Sequence, residues 1–187
     1  MRSSLIASIL VAFCLSACNK KSLSDRLPSI TTSGIKTFGC ILDGNIPYSV
    51  AGNPVYNGGG WNISCYTCLT ARFDQGALRI QTLDCPANTY EFNIVVGGTV
   101  IHPGTYNLAQ VTLDSTGNIV SNYLTMRYVN DQGTDFWYQT DSLHTGQLVI
   151  LRASDSIYSG TFTAQLILPG TNKLFSITSG RFDVKLN

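Results

Sequence analysis

"ISCYTCLTARFDQGALRIQTLD", residues 63–84, predicts a β-hairpin. Apolar and β-forming residues alternate with polar ones on both sides of Gln75-Gly76, which is a two-residue turn signal. A two-residue loop would place Phe73 opposite Leu78, so that apolar side chains meet on one face. A three-residue loop would place Leu78 opposite Arg72 instead. Matching of apolar residues therefore favours the first register.

The same alternation recurs along the chain, and turn signals separate the segments that carry it. Strands are predicted at 36–42, 46–50, 63–73, 77–84, 89–96, 105–113, 119–129, 134–140, 147–152, 157–168 and 173–185. Short strands at this spacing predict an all-β fold, and we expect an antiparallel β-sandwich of about ten strands. The alternative is an up-and-down β-barrel of the lipocalin-like kind.

The N-terminus has the pattern of a bacterial lipoprotein signal. Arg2 precedes the apolar run 5–13, which is too short to span a bilayer and has the length of a secretory signal. The run leads into Leu15-Ser16-Ala17-Cys18, which matches the lipobox of bacterial lipoproteins. In such a box the cysteine is acylated and becomes the first residue after cleavage. We therefore predict a signal peptide at 1–17 and lipid attachment at Cys18.

Residues 18–35 are predicted to form a lipidated tether, and residues 36–187 a single all-β domain. The tether is polar and rich in Ser and Thr, and fully extended it would reach on the order of 55 Å. By resemblance to sorting rules of bacterial lipoproteins, Asn19 after the cysteine indicates the outer membrane. The lack of an acidic cluster there favours the periplasmic side over the cell surface. The lipid on Cys18 would make the membrane a partner.

The charge pattern of residues 36–187 argues against nucleic acid as a partner. Eight basic residues stand against ten acidic ones, which gives a net charge of −2. The basic residues are scattered and form no stripe or run of the kind that tracks a phosphate backbone.

Four cysteines remain after the signal peptide and the lipidated Cys18, and we interpret Cys40, Cys65, Cys68 and Cys85 as disulfide candidates. The first alternative is that they are free thiols packed as small apolar residues. A zinc site would need a second C-x-x-C knuckle, and a redox pair would need a helix N-terminus to lower the thiol pKa. The favoured hairpin register predicts Cys68–Cys85, with Cys40–Cys65 by elimination. The three-residue loop would place Cys85 opposite Cys65 instead, and a bulge would have the same effect.

Catalytic constellations are not evident. His102 and His144 are the only histidines, and both lie in predicted turns. Glu91 is the only glutamate, and no nucleophile elbow, metalloprotease helix or phosphate-binding loop occurs. We therefore predict a non-enzyme that needs no cofactor or metal.

Trp61 and Trp137 are candidates for an aromatic surface that binds a glycan or a protein. Trp61 follows a Gly-rich loop. Trp137 lies between Phe136 and Tyr138, and strand alternation would place it on the face opposite to them. Packing in the core is the alternative for these aromatic residues.

Three Asp-Ser pairs resemble the Asp-Ser/Thr-apolar acceptor of O-glycans in envelope proteins of Bacteroidota. The acceptors would be Ser115, Ser142 and Ser156. The alternative is that Asp-Ser pairs simply favour turns.

The two ends of the domain resemble one family. Residues 36–44, "KTFGCILDG", resemble the "TFGC-x-V-[ND]-G" opening of a family of small Bacteroidota lipoproteins of unknown function. Residues 159–162 and 177–184, "SGTF" and "ITSGRFDV", resemble its "SGTF…ITDGRFD" close, with Ser179 in place of Asp. The resemblance implies a lipobox and an all-β domain without assigned activity. The shared parity of Arg181 and Asp183 predicts an ion pair in the last strand.

Together these patterns predict a non-catalytic outer-membrane lipoprotein with a structural or ligand-binding role. The alternatives are a small β-barrel carrier of an apolar ligand and an envelope enzyme. A carrier would have a continuous interior cavity, whereas a sandwich would have two packed inner faces.

Overall fold

The computed structural model describes residues 22–51, 69–82, 90–154 and 156–186. Several predicted features lie outside the described residues: the signal peptide 1–17, Cys18, Trp61, Cys65, Cys68 and Cys85. No helix in the described part of the chain is long and apolar enough to cross a membrane.

Among the described residues, a single 3₁₀ turn, Leu23–Arg26, precedes eleven strands. The strands are β1 (Thr37–Leu42), β2 (Ile46–Ala51), β3 (Leu69–Asp74), β4 (Ala77–Thr82), β5 (Tyr90–Gly97), β6 (Gly104–Leu108), β7 (Tyr123–Val129), β8 (Asp135–Gln139), β9 (Gly146–Ser154), β10 (Ile157–Ile167) and β11 (Leu174–Lys185). Each predicted strand has a counterpart, so the all-β class is confirmed. The hairpin register is confirmed as well, because Phe73 pairs with Leu78 and Ala71 with Ile80.

All strand pairs are antiparallel, and the strands form one continuous sheet that curls on itself. Its order is β2-β1-β11-β10-β8-β7-β5-β4-β3, and β9 and β6 branch from β10. We call β2, β1, β11, β10, β9 and β6 the first wing, and β8, β7, β5, β4 and β3 the second wing. The wings are joined where Ile167 of β10 pairs with Gln139 of β8. The first and last strands, β1 and β11, are neighbours, as they are in a closed barrel. The order is not strictly sequential, however, because β5 pairs with β7 and β10 pairs with β8 as well as with β9. The sheet is thus a curled, half-barrel arrangement with features of both a sandwich and a barrel.

The inner faces of the two wings pack on each other through aromatic side chains. The ring of Phe38 on β1 lies 5.3 Å from that of Phe92 on β5 and 5.3 Å from that of Phe162 on β10. Tyr48 on β2 lies 5.0 Å from Phe92. Aromatic rings bury large areas in tilted and edge-on contacts, so these residues stabilise the curl by bringing distant strands together.

The predicted strands 105–113 and 119–129 are longer than the observed ones. β6 ends at Leu108 and β7 begins at Tyr123, and an irregular hairpin connects them. A bridge between Leu113 and Ile119 closes the hairpin, and Ile119 is buried on the outer side of the second wing. The strands end early because β6 pairs with β9 in one wing whereas β7 pairs with β5 and β8 in the other.

Residues 22–35 lie against the outer face of the first wing, and we call this segment the N-terminal strap. The sequence predicted a free tether over 18–35. Leu27 is instead buried, and the carboxylate of Asp183 accepts hydrogen bonds from the strap. The expected ion pair of Asp183 with Arg181 is not formed, because Arg181 donates to the strap too. From residue 22 onward the predicted tether is therefore folded onto the domain.

Candidate ligand-binding face

The outer face of the second wing carries a polar row that crosses five strands. Its members are paired in register from strand to strand: Thr70 with Gln81, Gln81 with Asn93, Asn93 with Thr125, and Thr125 with Gln139. Successive side chains of a strand point to opposite faces, so the row points away from the buried residues that alternate with it. We refer to these five residues as the polar row.

Three oxygen atoms of the polar row have no partner. Thr70 Oγ1, Gln81 Oε1 and Asn93 Oδ1 are buried and make no hydrogen bond within the part of the chain that the structure describes. A buried polar atom without a partner costs about 1–3 kcal/mol, so such atoms are rare in folded domains. Their place on three adjacent strands concentrates unsatisfied hydrogen-bonding capacity in the row, although the three atoms themselves are not in contact with solvent.

A charged network lies beside the row, one position further along the same face. Arg127 on β7 pairs in register with Glu91 on β5 and with Trp137 on β8. Its guanidinium contacts both oxygens of Asp135 at 3.1 and 3.2 Å and Glu91 Oε1 at 2.9 Å. The hydrogen bonds to Asp135, followed by the charge of Glu91, raise the pKa of Arg127. Two carboxylates thus hold the guanidinium in one orientation.

Trp137 presents its indole to solvent next to that network. The side chain is 55% exposed, and the guanidinium carbon of Arg127 lies 6.0 Å from the centre of the indole ring. Tyr138 is buried and Phe136 is half-buried, so the alternation predicted for this strand is observed. Trp137 and Gln139 share the outer face of β8 because they are two residues apart.

A polar cleft of about 530 Å³ begins at Gln139 and extends past the edge of β8. It lies between the β8–β9 connection and the turn that joins β10 to β11. Its lining residues are Gln139, Asp141, His144, Ile167, Pro169, Gly170, Thr171 and Asn172. Most of these side chains offer a hydrogen-bond donor or acceptor, and Gln139 makes the cleft continuous with the polar row.

Asp141 organises the wall of the cleft that carries His144. Asp141 Oδ1 accepts hydrogen bonds from the backbone amides of His144 at 2.6 Å and Leu143 at 2.8 Å, and His144 Nδ1 lies 3.0 Å away. These hydrogen bonds lower the pKa of Asp141 and so favour its ionised form, and the bond from the His144 amide has the largest effect. The pair therefore orients the imidazole.

In the described part of the chain, no three His, Cys, Asp or Glu residues come together as metal ligands.

Cys40 is the one predicted disulfide cysteine within the described residues. Its thiol is free and fully buried between the wings, where burial raises its pKa. The proposed partner Cys65 lies outside the described residues, as do Cys68 and Cys85. The predicted disulfides are not confirmed, and both pairings stay predictions.

The three candidate O-glycosylation sites are all exposed at turns. Asp114, beside Ser115, accepts hydrogen bonds from Thr116 Oγ1 at 2.7 Å and from the backbone amides of Thr116 and Asn118. These hydrogen bonds lower the pKa of Asp114, and the one from the Thr116 hydroxyl has the largest effect. Asp141 organises the turn that holds Ser142 in the same way. Ser156 has a φ of 65° between β9 and β10. These contacts explain the turns and leave glycosylation a prediction.

Sequence reasoning pointed to Trp137 but missed the polar row. No single strand marks the row, since a Gln or Asn on an exposed face is ordinary. The row exists only because five strands align in one register.

No protein-family model, no curated protein and no solved structure matches this chain.

Proposed function

We propose that the chain is a non-catalytic lipoprotein of the outer membrane, facing the periplasm, whose domain binds an uncharged glycan. The glycan would lie along the polar row, from Thr70 to the cleft at Gln139, with Trp137 beside it. The observation that carries this proposal is the polar row, whose oxygens on β3, β4 and β5 lack partners among the described residues and which shares its outer face with the exposed indole of Trp137 on β8.

The chemistry of the face suits sugar hydroxyl groups. Each hydroxyl both donates and accepts, so it could satisfy Gln81 Oε1 or Asn93 Oδ1 while using the amide nitrogen of the same side chain. An aromatic ring supplies a flat apolar contact for the ring of a sugar. The charge of Arg127 is matched by Glu91 and Asp135, so the network offers little attraction for an anionic ligand.

The alternatives have weaker support. A carrier of an apolar ligand needs an open interior, whereas the space between the wings holds packed side chains such as Phe38, Phe92 and Phe162. An envelope enzyme would draw on Asp141 and His144, but Asp141 Oδ1 accepts hydrogen bonds from the backbone of its own turn and lies against His144 Nδ1, so this pair serves the geometry of the turn. A binding role needs neither an interior cavity nor a nucleophile.

The test is binding of neutral oligosaccharides, first by glycan array and then by calorimetry on the full chain. We expect the Trp137→Ala variant to bind at least about tenfold more weakly, which is typical of an aromatic residue central to a binding surface. Val111→Ala is the control, because Val111 is exposed on the hairpin between β6 and β7 and lies outside the face. Equal affinity of Trp137→Ala and the unaltered protein would contradict the proposal, and so would a failure to bind any neutral glycan.

A further inference from the structure

The N-terminal strap brings together the two motifs that the ligand-binding face leaves unexplained. These are the opening motif at 36–44 and the closing motif at 177–184. The opening motif contributes Gly39, and the closing motif contributes Arg181 and Asp183. All three residues contact the strap.

Asp183 forms the centre of the contact. Its side chain lies on the outer face of β11, opposite to the core residues Phe182 and Val184, and is nonetheless buried. The carboxylate accepts hydrogen bonds from Thr31 Oγ1 at 2.6 Å, the Ser33 amide at 2.9 Å and the Gly34 amide at 2.7 Å. Three donors from one short segment satisfy a carboxylate that would otherwise be exposed, so strap and β11 hold each other in place.

Two arginines extend the contact across the first wing. Arg181 of β11 donates to the carbonyl of Pro28 at 2.9 Å, and Arg152 of β9 donates to the carbonyl of Thr32 at 2.7 Å. The strap is therefore bonded to two strands through its backbone. Such bonds depend on the path of the strap more than on its side chains.

Gly39 allows the strap to lie close to β1. A Cβ atom at this position would meet Pro28 Cδ at 2.7 Å and Leu27 Cδ2 at 3.4 Å. Leu27 is buried at this contact. Any larger residue at 39 would push the strap away from the sheet, which accounts for glycine in the opening motif.

The position of the strap limits how far the domain can stand from a membrane. Ser22, where the described strap begins, is four residues after Cys18, and four extended residues span at most ~14 Å. A free tether over the whole of 18–35 would allow on the order of 55 Å. Lys20, Lys21 and Arg26 outnumber Asp25, so this end of the chain is net basic, which suits anionic headgroups.

We propose that Gly39, Arg181 and Asp183 form a docking site for the strap, which holds the domain against an anionic phospholipid surface when Cys18 is acylated. The part concerning the membrane rests on the proposed lipid anchor. The strap lies on the first wing and the ligand-binding face on the second, so the glycan site is turned away from the bilayer. The anchor thus sets both the height and the orientation of the domain.

The test uses the full lipidated chain on a supported bilayer of phosphatidylethanolamine and phosphatidylglycerol. Neutron reflectometry measures the water gap between headgroups and protein. We expect a gap within ~15 Å for the unaltered chain and a gap at least about twice as wide for Asp183→Ala, because release of the strap restores the long tether. Asp131→Ala is the matched control, since it removes an exposed carboxylate of the second wing.

Hydrogen exchange tests the docking without the membrane. The amides of Ser33 and Gly34 should exchange on the order of 100-fold faster in Asp183→Ala, since their charged acceptor is lost. A flexible insert between Lys21 and Ser22 should widen the gap and leave these amides protected. This insert keeps the test valid if Asp183→Ala fails to fold.

The outcomes separate the two proposals. A mass spectrum in which Cys18 carries no lipid would refute the proposed anchor and with it the contact with the membrane, while exchange still decides the docking. A lipidated chain with a gap of several tens of ångströms would overturn this inference alone. Unprotected amides at Ser33 and Gly34 in the unaltered chain would overturn the docking site.

Discussion

At the scale of the residue, Cys40 shows how burial changes chemistry. The sequence predicts that this cysteine is half of a disulfide, and its predicted partner lies outside the described residues. Within them, Cys40 has a free thiol that is buried among Phe38, Leu42 and Tyr48. A thiolate there would lose its hydration, so burial raises the pKa of the thiol far above its usual range.

This state of Cys40 predicts a dependence of stability on pH. The pKa of the Cys40 thiol is higher in the folded chain than in the unfolded chain, so the unfolded chain releases this proton first as pH rises. The stability that the neutral thiol contributes is therefore complete below the pKa of the unfolded chain. It is lost progressively as pH rises above that value towards the pKa of the folded chain. Between roughly pH 9 and 11 the free energy of unfolding should fall about 1.4 kcal/mol per pH unit more in the unaltered chain than in Cys40→Ala. Chemical denaturation at several pH values measures this. Identical slopes for the two proteins would show that Cys40 has no free thiol.

At the scale of the element, the pairing of β9, β10 and β11 depends on close approach. Gly160 on β10 lies opposite Ile150 of β9 and Phe182 of β11. A Cβ atom there would come within 2.1 Å of the carbonyl of Val149 and 2.9 Å of the Phe182 ring. Glycine is therefore required at position 160, where the Phe182 ring of β11 lies over the backbone of β10.

We expect Gly160→Ala to lower the free energy of unfolding by about 2 kcal/mol, since the carbonyl of a neighbouring strand has to move. Urea denaturation of the two proteins measures the difference. Thr163→Ala on the same strand is the control, because Thr163 is exposed and its change should cost much less. Equal stability of Gly160→Ala and the unaltered chain would mean that the two strands separate more easily than their packing suggests.

The hairpin of β3 and β4 shows how far sequence reasoning reaches at this scale. Its register follows from Gln75-Gly76 and from the match of Phe73 with Leu78, and all of these are local. The hairpin between β6 and β7 shows the opposite. Nothing local indicates that β6 leaves for β9, so the ends of those strands were predicted incorrectly.

At the scale of the whole molecule, the curl of one sheet produces two outer faces that carry different features. The first wing carries the strap, and the second carries the polar row and Trp137. The core between them is filled by side chains from both wings. The strap and the polar row therefore lie on the outer faces of different wings, which would separate the proposed attachment from the proposed binding.

This division predicts that the two sites act independently. Asp183→Ala should release the strap and leave the affinity for a neutral glycan within about twofold, since distant sites without shared contacts behave additively. Calorimetry on Asp183→Ala and on the unaltered chain measures this, with Trp137→Ala as the variant that loses binding. A tenfold change in Asp183→Ala would show that the wings are coupled through the core.

The sequence by itself determined the all-β class, the approximate number of strands and the register of the β3–β4 hairpin. These features depend on alternation and on turn residues, which act between neighbours in the chain. Only the tertiary structure decided which strands lie side by side, which polar residues form a row, and where residues 22–35 lie. Thr31 and Asp183 are 152 residues apart, and Thr70 joins Gln139 only through three intervening strands. Contacts over such separations depend on how the whole sheet curls to bury its core, and no local pattern encodes that.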